Sequence, residues 1–247
     1  MDFTNKNVVI TGGSTGIGFA TAEAFIKAGA NVWITSRSDK KLQEAATAIG
    51  SNKLHTVVSD TATLEGISKL QKAITEQNIG IDVLFLNAGI AVFAPIKEVT
   101  ESDFDSQFNT NVKGAFFTLQ KLIPSLNEGG AVLFTSSTVA TATNVGGSIY
   151  SATKGALNKI AQIAANELAT KGIRVNIVSP GPTQTPGLEN AVPTEAKGTL
   201  AAATALQRLG KASEIAHTVL FLASEQASFV TGTELLVDGG YINYALK

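Results

Sequence analysis

The sequence predicts an α/β fold, namely a single doubly wound domain with a seven-stranded parallel sheet and helices on both faces. Short, almost uninterrupted apolar runs recur along the chain, as in the strands of a parallel sheet that is buried on both faces. Longer stretches with helical periodicity separate these runs, as in right-handed βαβ units. The 247 residues contain no linker rich in proline, serine or charge, so we predict one domain over 1–247.

Each element follows from its own pattern. Seven apolar runs are the predicted strands, in chain order 8–10, 32–35, 56–58, 83–86, 132–134, 175–178 and 234–237. Helical periodicity between the runs predicts helices over 17–27, 39–49, 63–77, 102–126, 150–171 and 213–223. The first helix directly follows a glycine cluster, the second is polar, and the helices over 102–126 and 150–171 are unusually long.

The stretch 182–207 interrupts this alternation. It contains Pro182, Pro186 and Pro193 together with many alanines, and it shows no strand of its own. It begins just after a strand ends, which is where α/β sheets bind their ligands. We therefore predict a mobile lid over a binding site.

Composition excludes several classes of function. The 19 basic and 20 acidic side chains give a net charge of −1, so no nucleic-acid partner is expected. Without cysteine, disulfides, thiolate catalysis and cysteine-ligated metals are excluded, and His55 and His217 lie too far apart to suggest a metal centre. Residues 1–6 lack the apolar core of a secretory signal, and no apolar run is long enough to span a membrane. We expect a cytoplasmic protein without a membrane partner.

Residues 11–18, which read TGGSTGIG, connect the first predicted strand to the first helix. Glycines at this turn let the backbone approach a ligand closely, and the helix N-terminus offers free N–H groups to a pyrophosphate. The cluster therefore predicts a dinucleotide site. Its candidate binding residues are Gly12, Ser14, Thr15, Gly16, Ile17 and Gly18.

The second predicted strand indicates which dinucleotide binds. An NAD site usually carries an acidic residue about 20 residues beyond the glycines, which binds the ribose 2′-hydroxyl. This chain has Ser36 and Arg37 there, and no carboxylate before Asp39. Arg37 could bind a 2′-phosphate, helped by Lys40 or Lys41, although these cations could equally be the solvated start of a helix. NADP(H) is therefore favoured, with NAD(H) as the alternative.

A catalytic group is indicated by Tyr150 and Lys154, which lie four residues apart on one face of a predicted helix. A free tyrosine titrates near pH ~10, and a neighbouring cation favours its phenolate. Ser137 lies 13 positions before Tyr150, at the end of the fifth strand, where its hydroxyl could bind a substrate oxygen. By position alone, Ser136 or Thr138 could bind the substrate oxygen instead.

These motifs, in this order, resemble those of the classical short-chain dehydrogenases/reductases along essentially the whole chain. Further matching segments are Asp60-Thr61, Asn87-Ala88-Gly89, Asn111, Pro180-Gly181 with Thr183 and Thr185, and Val237-Asp238-Gly239-Gly240. The resemblance implies a Rossmann-type fold in which Asp60 and Thr61 contact the adenine. It also implies that the segment from Pro180 to Thr185 holds the nicotinamide carboxamide, and the 13-residue spacing selects Ser137.

The resemblance also implies a mechanism. Tyr150 is the general acid in reduction and the general base in oxidation, and Ser137 polarises the carbonyl. Lys154 lowers the pKa of the tyrosine and binds the nicotinamide ribose, while Asn111 anchors a water that connects the lysine to solvent. Asn111 could also be partly structural, and Asn87 could be structural as well as cofactor-facing.

The implied reaction is the reversible reduction of a ketone to a secondary alcohol. The expected pocket lies between Ser137, Tyr150, the segment 139–147 and the lid, and it contains no cation placed to bind a carboxylate. A neutral ketone is therefore favoured, with sugar alcohols and steroids left open. The apolar residues expected to line this pocket are Val139, Ala140, Val145, Leu188 and Leu206.

Two alternatives remain. The family includes reductases of 3-oxoacyl thioesters on a carrier protein, which often have an arginine in the turn before the fifth strand. This chain has Glu128-Gly129-Gly130 there, which disfavours that substrate. Lys171 and Arg174 are nevertheless available as basic residues that could hold an acidic carrier protein. The second alternative is a dinucleotide-binding sensor without chemistry, but such a protein should lack Tyr150, Lys154 or Ser137.

The resemblance implies a homotetramer that pairs through the two long helices and the C-terminal segment. We expect the helix over 150–171 to present small outward residues for close helix contact. These are Ala156, Ala161, Ala164 and Ala165. His55 and His217 are assigned to packing or to the surface, and Trp33, in the second predicted strand, is assigned to the core.

Overall fold

Seven strands form one parallel sheet in the computed structural model, which describes residues 1–243. They are β1 Asn7–Ile10, β2 Asn31–Ser36, β3 Leu54–Val58, β4 Ile81–Leu86, β5 Leu126–Thr135, β6 Arg174–Pro180 and β9 Glu234–Val237. Two further short strands, β7 Thr183–Gln184 and β8 Gly210–Lys211, pair with each other outside this sheet. The sheet order is β3-β2-β1-β4-β5-β6-β9, and every neighbouring pair is parallel. This reversal of strand order at β1 and β4 confirms the predicted doubly wound α/β fold.

Helices cover both faces of this sheet. They are α1 Gly16–Lys27, α2 Asp39–Ile49, α3 Leu64–Glu76, α4 Glu101–Gln107, α5 Gly114–Leu122, α6 Ser148–Glu167, α7 Pro186–Ala191, α8 Thr194–Ala202 and α9 Ala212–Ala223. Side-chain caps fix several helix starts, because Ser38 accepts from the Lys41 N–H at α2 and Thr63 accepts from the Gly66 N–H at α3.

The core consists of two apolar layers, one on each face of the sheet. Alternate residues of β4 enter different layers, since Leu84 packs with α3, α5 and α6, whereas Phe85 packs with α1, α2 and α9. Trp33 is 3% exposed and stacks on His55 with 4.4 Å between the ring centroids, as its assignment to the core predicts. Among residues 1–243 no helix is long and apolar enough to cross a bilayer.

The single helix predicted over 102–126 is wrong in its interior and at its end. α4 passes into a π-helical turn over Phe108–Lys113, and α5 then ends at Leu122. A short 3₁₀ turn with Pro124 follows, and β5 begins at Leu126. Apolar periodicity cannot distinguish a π turn from an α turn, and π turns often occur at functional sites.

The stretch 182–207 contains more regular secondary structure than the sequence predicts. It contains α7 and α8, and Thr183–Gln184 forms a short parallel pair with Gly210–Lys211. This pair fixes the two ends of the stretch beside each other. Neither α7 nor α8 has a buried residue, so the stretch lies on the outside of the core.

The structure contradicts the prediction that the alanines of α6 face outward. Ala161, Ala164 and Ala165 are buried in the apolar layer beneath the helix, and Ala156 is half-buried. The face of α6 that solvent reaches instead carries Ile163, with 51% of its surface exposed. The alanines were placed on the wrong face because small residues suit a helix–sheet contact as well as a helix–helix contact.

Candidate active site

A cleft of about 780 Å³ opens at the carboxyl ends of β1, β4, β5 and β6. Strand order reverses there, and ligands of open α/β sheets bind at such positions. Nearly all the residues predicted to bind the cofactor line this cleft. They are Gly12, Ser14, Thr15, Gly16, Ile17, Ser36, Arg37, Asp60, Thr61, Asn87, Ala88, Gly89, Tyr150, Lys154, Pro180, Gly181, Thr183 and Thr185. Ser137 lines it too.

The glycine loop forms one wall of the cleft. Gly16 has φ +57° and lies against Thr185 at the start of α7, so the loop contacts the stretch 182–207. Thr15 precedes α1 without capping it through its side chain, and the first turn of α1 has no acidic residue. The N–H groups of this turn therefore suit an anion such as a pyrophosphate.

Of the three glycines in this loop that are predicted to bind the cofactor, Gly12 and Gly16 line the cleft and Gly18 does not. A Cβ there would overlap the carbonyl oxygen of Gly12 and would crowd the Asn87 amide nitrogen. The residue is therefore needed for close packing beneath the loop, and its direct contact with a cofactor stays a prediction.

Asn87 braces the ends of three strands. Its side-chain NH₂ donates to the carbonyl oxygens of Thr11 and Gly12, at 3.2 Å each. Its amide oxygen accepts from the Thr135 hydroxyl at 3.1 Å, and the Thr11 hydroxyl oxygen accepts from the backbone N–H of Asn87 at 2.9 Å. The expected structural part of its role is thus present, and the residue also faces the cleft.

The end of β2 is positively charged. Arg37 is exposed and makes no hydrogen bond or ion pair with any residue in the described part of the chain. Lys41 lines the cleft beside it, whereas Lys40 does not and lies 3.9 Å from Glu44. Of the two lysines proposed to help Arg37, the structure therefore places only Lys41 at the cleft.

Tyr150 lies at the centre of the cleft. Burial raises the pKa of its phenol to about 12, and a hydrogen bond with Ser137 opposes this rise. The ring of Phe93 packs edge-on against the Tyr150 ring, with 5.7 Å between centroids. Because its pKa is high, Tyr150 holds its proton at neutral pH, as an acid that donates to a carbonyl oxygen must.

Lys154 lies behind Tyr150 and is 3% exposed. Its Nζ donates to the Thr135 carbonyl oxygen at 2.8 Å and lies 5.6 Å from the centroid of the Tyr150 ring. Burial lowers the pKa of Lys154 to about 8, since the charged form loses hydration. The influences seen on Tyr150 are burial and Ser137, so the expected lowering of its pKa by Lys154 stays a prediction.

Asn111 does not line the cleft, in contrast to the other predicted catalytic residues. It is fully buried in the π turn, where its side chain accepts from the Ile90 N–H at 2.8 Å and donates to the Ile90 carbonyl at 2.9 Å. Its NH₂ also donates to the Thr153 hydroxyl at 3.0 Å. The structural role that the sequence left open is therefore observed, and the water relay stays a prediction.

Stability should depend on pH through Lys154. Its folded pKa of about 8 lies below the ordinary 10.5, so the unfolded chain binds more protons between these values. The free energy of unfolding should therefore rise by up to about 3 kcal/mol from pH 8 to pH 10.5, relative to Lys154→Met. Denaturant unfolding of both proteins at several pH values measures this. Parallel pH profiles would contradict it.

The substrate side of the cleft is uncharged. Among the described residues that line the cleft, the charged side chains are Arg37, Lys41, Asp60 and Lys154, none of which is in the stretch 182–207. Val139, Val145 and Leu188 line it as expected, but Ala140 and Leu206 do not. Further lining residues were not named individually. Asn144, Asn190, Val192 and Leu200 lie within the predicted wall segments 139–147 and 182–207, whereas Ala91, Phe93 and Tyr241 lie outside them.

The structure changes the interpretation of the residues that were considered for carrier-protein binding. Residues 128–130 lie within β5, at a shift in its pairing with β4, and not in a turn before it. They lie near the start of β5, at the opposite end of this strand from Ser137. Arg174 is not available, because its guanidinium donates to the carbonyls of Leu222 and Ser224 at 2.6 and 3.2 Å. Lys171 is exposed but does not line the cleft.

Comparison with known proteins defines the class. The family described as Enoyl-(Acyl carrier protein) reductase matches residues 12–242. Oxidoreductase AsL5 of Sarocladium schorii is 36% identical over 96% of each chain. The 3-oxoacyl-[acyl-carrier-protein] reductase FabG of Thermotoga maritima is 34% identical over 98% of this chain and all of its own.

Solved structures agree with these sequence matches. A short-chain dehydrogenase/reductase from Brucella melitensis superposes with a TM-score of 0.93 at 34% identity, covering 98% of this chain and 99% of its own. A Burkholderia cenocepacia short-chain dehydrogenase in complex with NADP gives 0.91 at 32% identity, with the same coverage. A Brucella melitensis 3-ketoacyl-(acyl-carrier-protein) reductase with NADH gives 0.90 at 30%, covering 97% and 99%.

The chain belongs to the short-chain dehydrogenase/reductase family of oxidoreductases, as its motifs predict. Members of this family bind a nicotinamide dinucleotide and act on small molecules. The structures with NADP and with NADH leave the choice of dinucleotide open for this chain.

Proposed function

We propose that this protein reversibly reduces a neutral ketone to a secondary alcohol with NADPH, and that Tyr150 is the proton donor. The observation that carries the proposal is the convergence of Ser137, Tyr150 and Lys154 in one cleft with the glycine loop. The bound nicotinamide would supply the hydride. We further propose that the stretch 182–207 is a lid over this cleft, since its ends are fixed while α7 and α8 lie outside the core.

The chain's own residues then have distinct tasks in the reduction. Ser137 donates a hydrogen bond to the carbonyl oxygen and stabilises the negative charge that develops there. Tyr150 donates its proton to that oxygen as the C–O⁻ forms, and leaves a phenolate. Lys154, with its pKa of about 8, is mostly protonated at neutral pH and lies behind the tyrosine, where its charge stabilises this phenolate.

The cofactor preference should depend on Arg37. If Arg37 binds the 2′-phosphate, Arg37→Ala should weaken NADPH binding by about 10- to 100-fold and leave NADH binding nearly unchanged, since a charge-assisted hydrogen bond is lost. Lys41→Ala should have a smaller effect in the same direction. The matched control is Lys40→Ala, because Lys40 does not line the cleft. Titration of each variant with both cofactors measures this, and equal losses for NADPH and NADH would contradict the assignment.

A 3-oxoacyl thioester is the second candidate substrate, because relatives similar over nearly the whole chain carry that name. The uncharged substrate side of the cleft and the bonded Arg174 favour a neutral ketone instead. Steady-state rates with simple ketones, a free 3-oxoacyl thioester and an enoyl thioester distinguish these substrates. A rate that appears only with the thioester would replace the ketone proposal.

We propose that the protein assembles as a homotetramer. Exposed Phe116 and Ile163, on α5 and α6, support pairing through these helices in place of the buried alanines. Residues 244–247 of the expected C-terminal contact lie outside the described residues. Sedimentation at micromolar concentration tests the assembly, and a monomer would contradict it. The cytoplasmic location expected from the sequence stays a prediction.

A further inference from the structure

The segment after β4 is held by two side-chain amides from one helix. Asn111 pairs with both polar backbone groups of Ile90, as described above. Gln107, one turn earlier, pairs in the same way with Val92: its Oε1 accepts from the Val92 N–H at 3.1 Å, and its Nε2 donates to the Val92 carbonyl at 3.3 Å. Gln107 is 1% exposed and Val92 is 37% exposed, so the bonds are partly buried, with the amide on the shielded side.

The spacings of the two elements match. Residues four apart on a helix have side chains about 5–6 Å apart, and residues two apart in an extended chain are separated by about 6.6 Å. The two amides can therefore act as a substitute strand beside the segment 90–92. They satisfy backbone groups that have no partner strand there, which is a requirement for buried backbone.

We call the two amides of Gln107 and Asn111, with the segment 90–92 that they hold, the clamp. Phe93 directly follows this clamp. On its other side, the Ala94 N–H donates to the Gly146 carbonyl oxygen at 2.9 Å, in the loop that carries Val145. Phe93 is thus fixed on both sides, and its ring lies edge-on to Tyr150 at the wall of the cleft. With 41% of its surface exposed, the ring can still contact a substrate.

We infer that Gln107 is a positioning residue for substrate selection: it holds Phe93 against Tyr150, and Phe93 selects ketones with a bulky apolar substituent. The inference rests on the proposed ketone reduction and goes beyond it, since it assigns the substituent and the residue that controls it. Gln107 touches neither cofactor nor substrate, because it does not line the cleft.

The test compares acetophenone with 2-butanone as substrates. Phe93→Ala should lower the ratio of their kcat/KM values, aryl over alkyl, by about tenfold, since ring packing is lost. Gln107→Leu should lower the same ratio by about fivefold and have almost no further effect in the Phe93→Ala background, as expected for a residue that acts through another. Gln107→Glu keeps the acceptor for the Val92 N–H and should lie between wild type and Gln107→Leu. The control Gln162→Leu removes a surface amide that accepts from Lys159 and should leave the ratio unchanged.

Two measurements keep the test independent of turnover. Hydrogen exchange of the Val92 amide should become roughly tenfold faster in Gln107→Leu, as expected for a lost hydrogen bond. Acetophenone binding, followed by NMR saturation transfer, should weaken in parallel, while fluorescence of the single tryptophan, Trp33, checks that the variant is folded.

Unchanged exchange, unchanged selectivity, or fully multiplicative effects in the double variant would overturn the inference. Failure of the wild type to reduce either ketone would instead contradict the proposed function, and exchange and binding would still decide the role of Gln107.

Discussion

Tyr150→Phe should lower kcat for ketone reduction by about 10²- to 10⁴-fold, the range expected when a general acid is removed. The substitution removes only the phenol hydroxyl, which has a pKa of about 12 and holds its proton at neutral pH. The ring packing against Phe93 can be retained. NADPH affinity should stay within about threefold of wild type, because no hydride chemistry is needed for binding. Stopped-flow reduction and equilibrium titration measure the two quantities.

The combination of lost turnover and retained binding is what separates an enzyme from a sensor. If Tyr150→Phe bound NADPH normally and reduced ketones at the wild-type rate, Tyr150 could not be the proton donor. If instead the variant lost NADPH binding as well, the phenol would be needed for the cofactor and not only for chemistry.

Ser137→Ala should lower kcat by about 10²- to 10³-fold, because a hydrogen-bond donor to the developing oxyanion is lost. The adjacent Ser136 is a close control. Its hydroxyl donates to the Lys154 carbonyl oxygen at 3.4 Å and is buried, whereas the Ser137 hydroxyl bonds with Tyr150. Ser136→Ala should therefore change kcat by less than about tenfold, through an altered position of α6. Rates of both variants with one ketone are sufficient, and equal losses would remove the special role of Ser137.

The sequence was sufficient to predict the sheet and the centre of the cleft. Strands such as β4 are continuous apolar runs, and Tyr150 and Lys154 have a fixed spacing on one helix, so their location follows from local pattern. Gly18 and Asn111 were assigned to the cleft from the motif alone. Their actual roles depend on which backbone lies behind them, Gly12 for one and Ile90 for the other, and this is tertiary information.

Features without local periodicity were not predicted. The π turn at Phe108–Lys113 and the pairing of β7 with β8 depend on contacts between distant segments. The clamp of Gln107 on Val92 links residues 15 positions apart through side chain and backbone, and no sequence pattern distinguishes it from a surface glutamine. The alanines of α6 show the converse error, because a helix face cannot be assigned when small residues occur on more than one side.

The most direct test of the proposed function is NADPH oxidation by the wild-type protein and by Tyr150→Phe, with NADH in parallel, against neutral ketones and a 3-oxoacyl thioester. We predict ketone-dependent oxidation that prefers NADPH in the wild type and falls at least about 100-fold in the variant. If both cofactors bind but no substrate causes oxidation in the wild type, the protein is not the ketone reductase proposed here, and a dinucleotide-binding sensor becomes the better account.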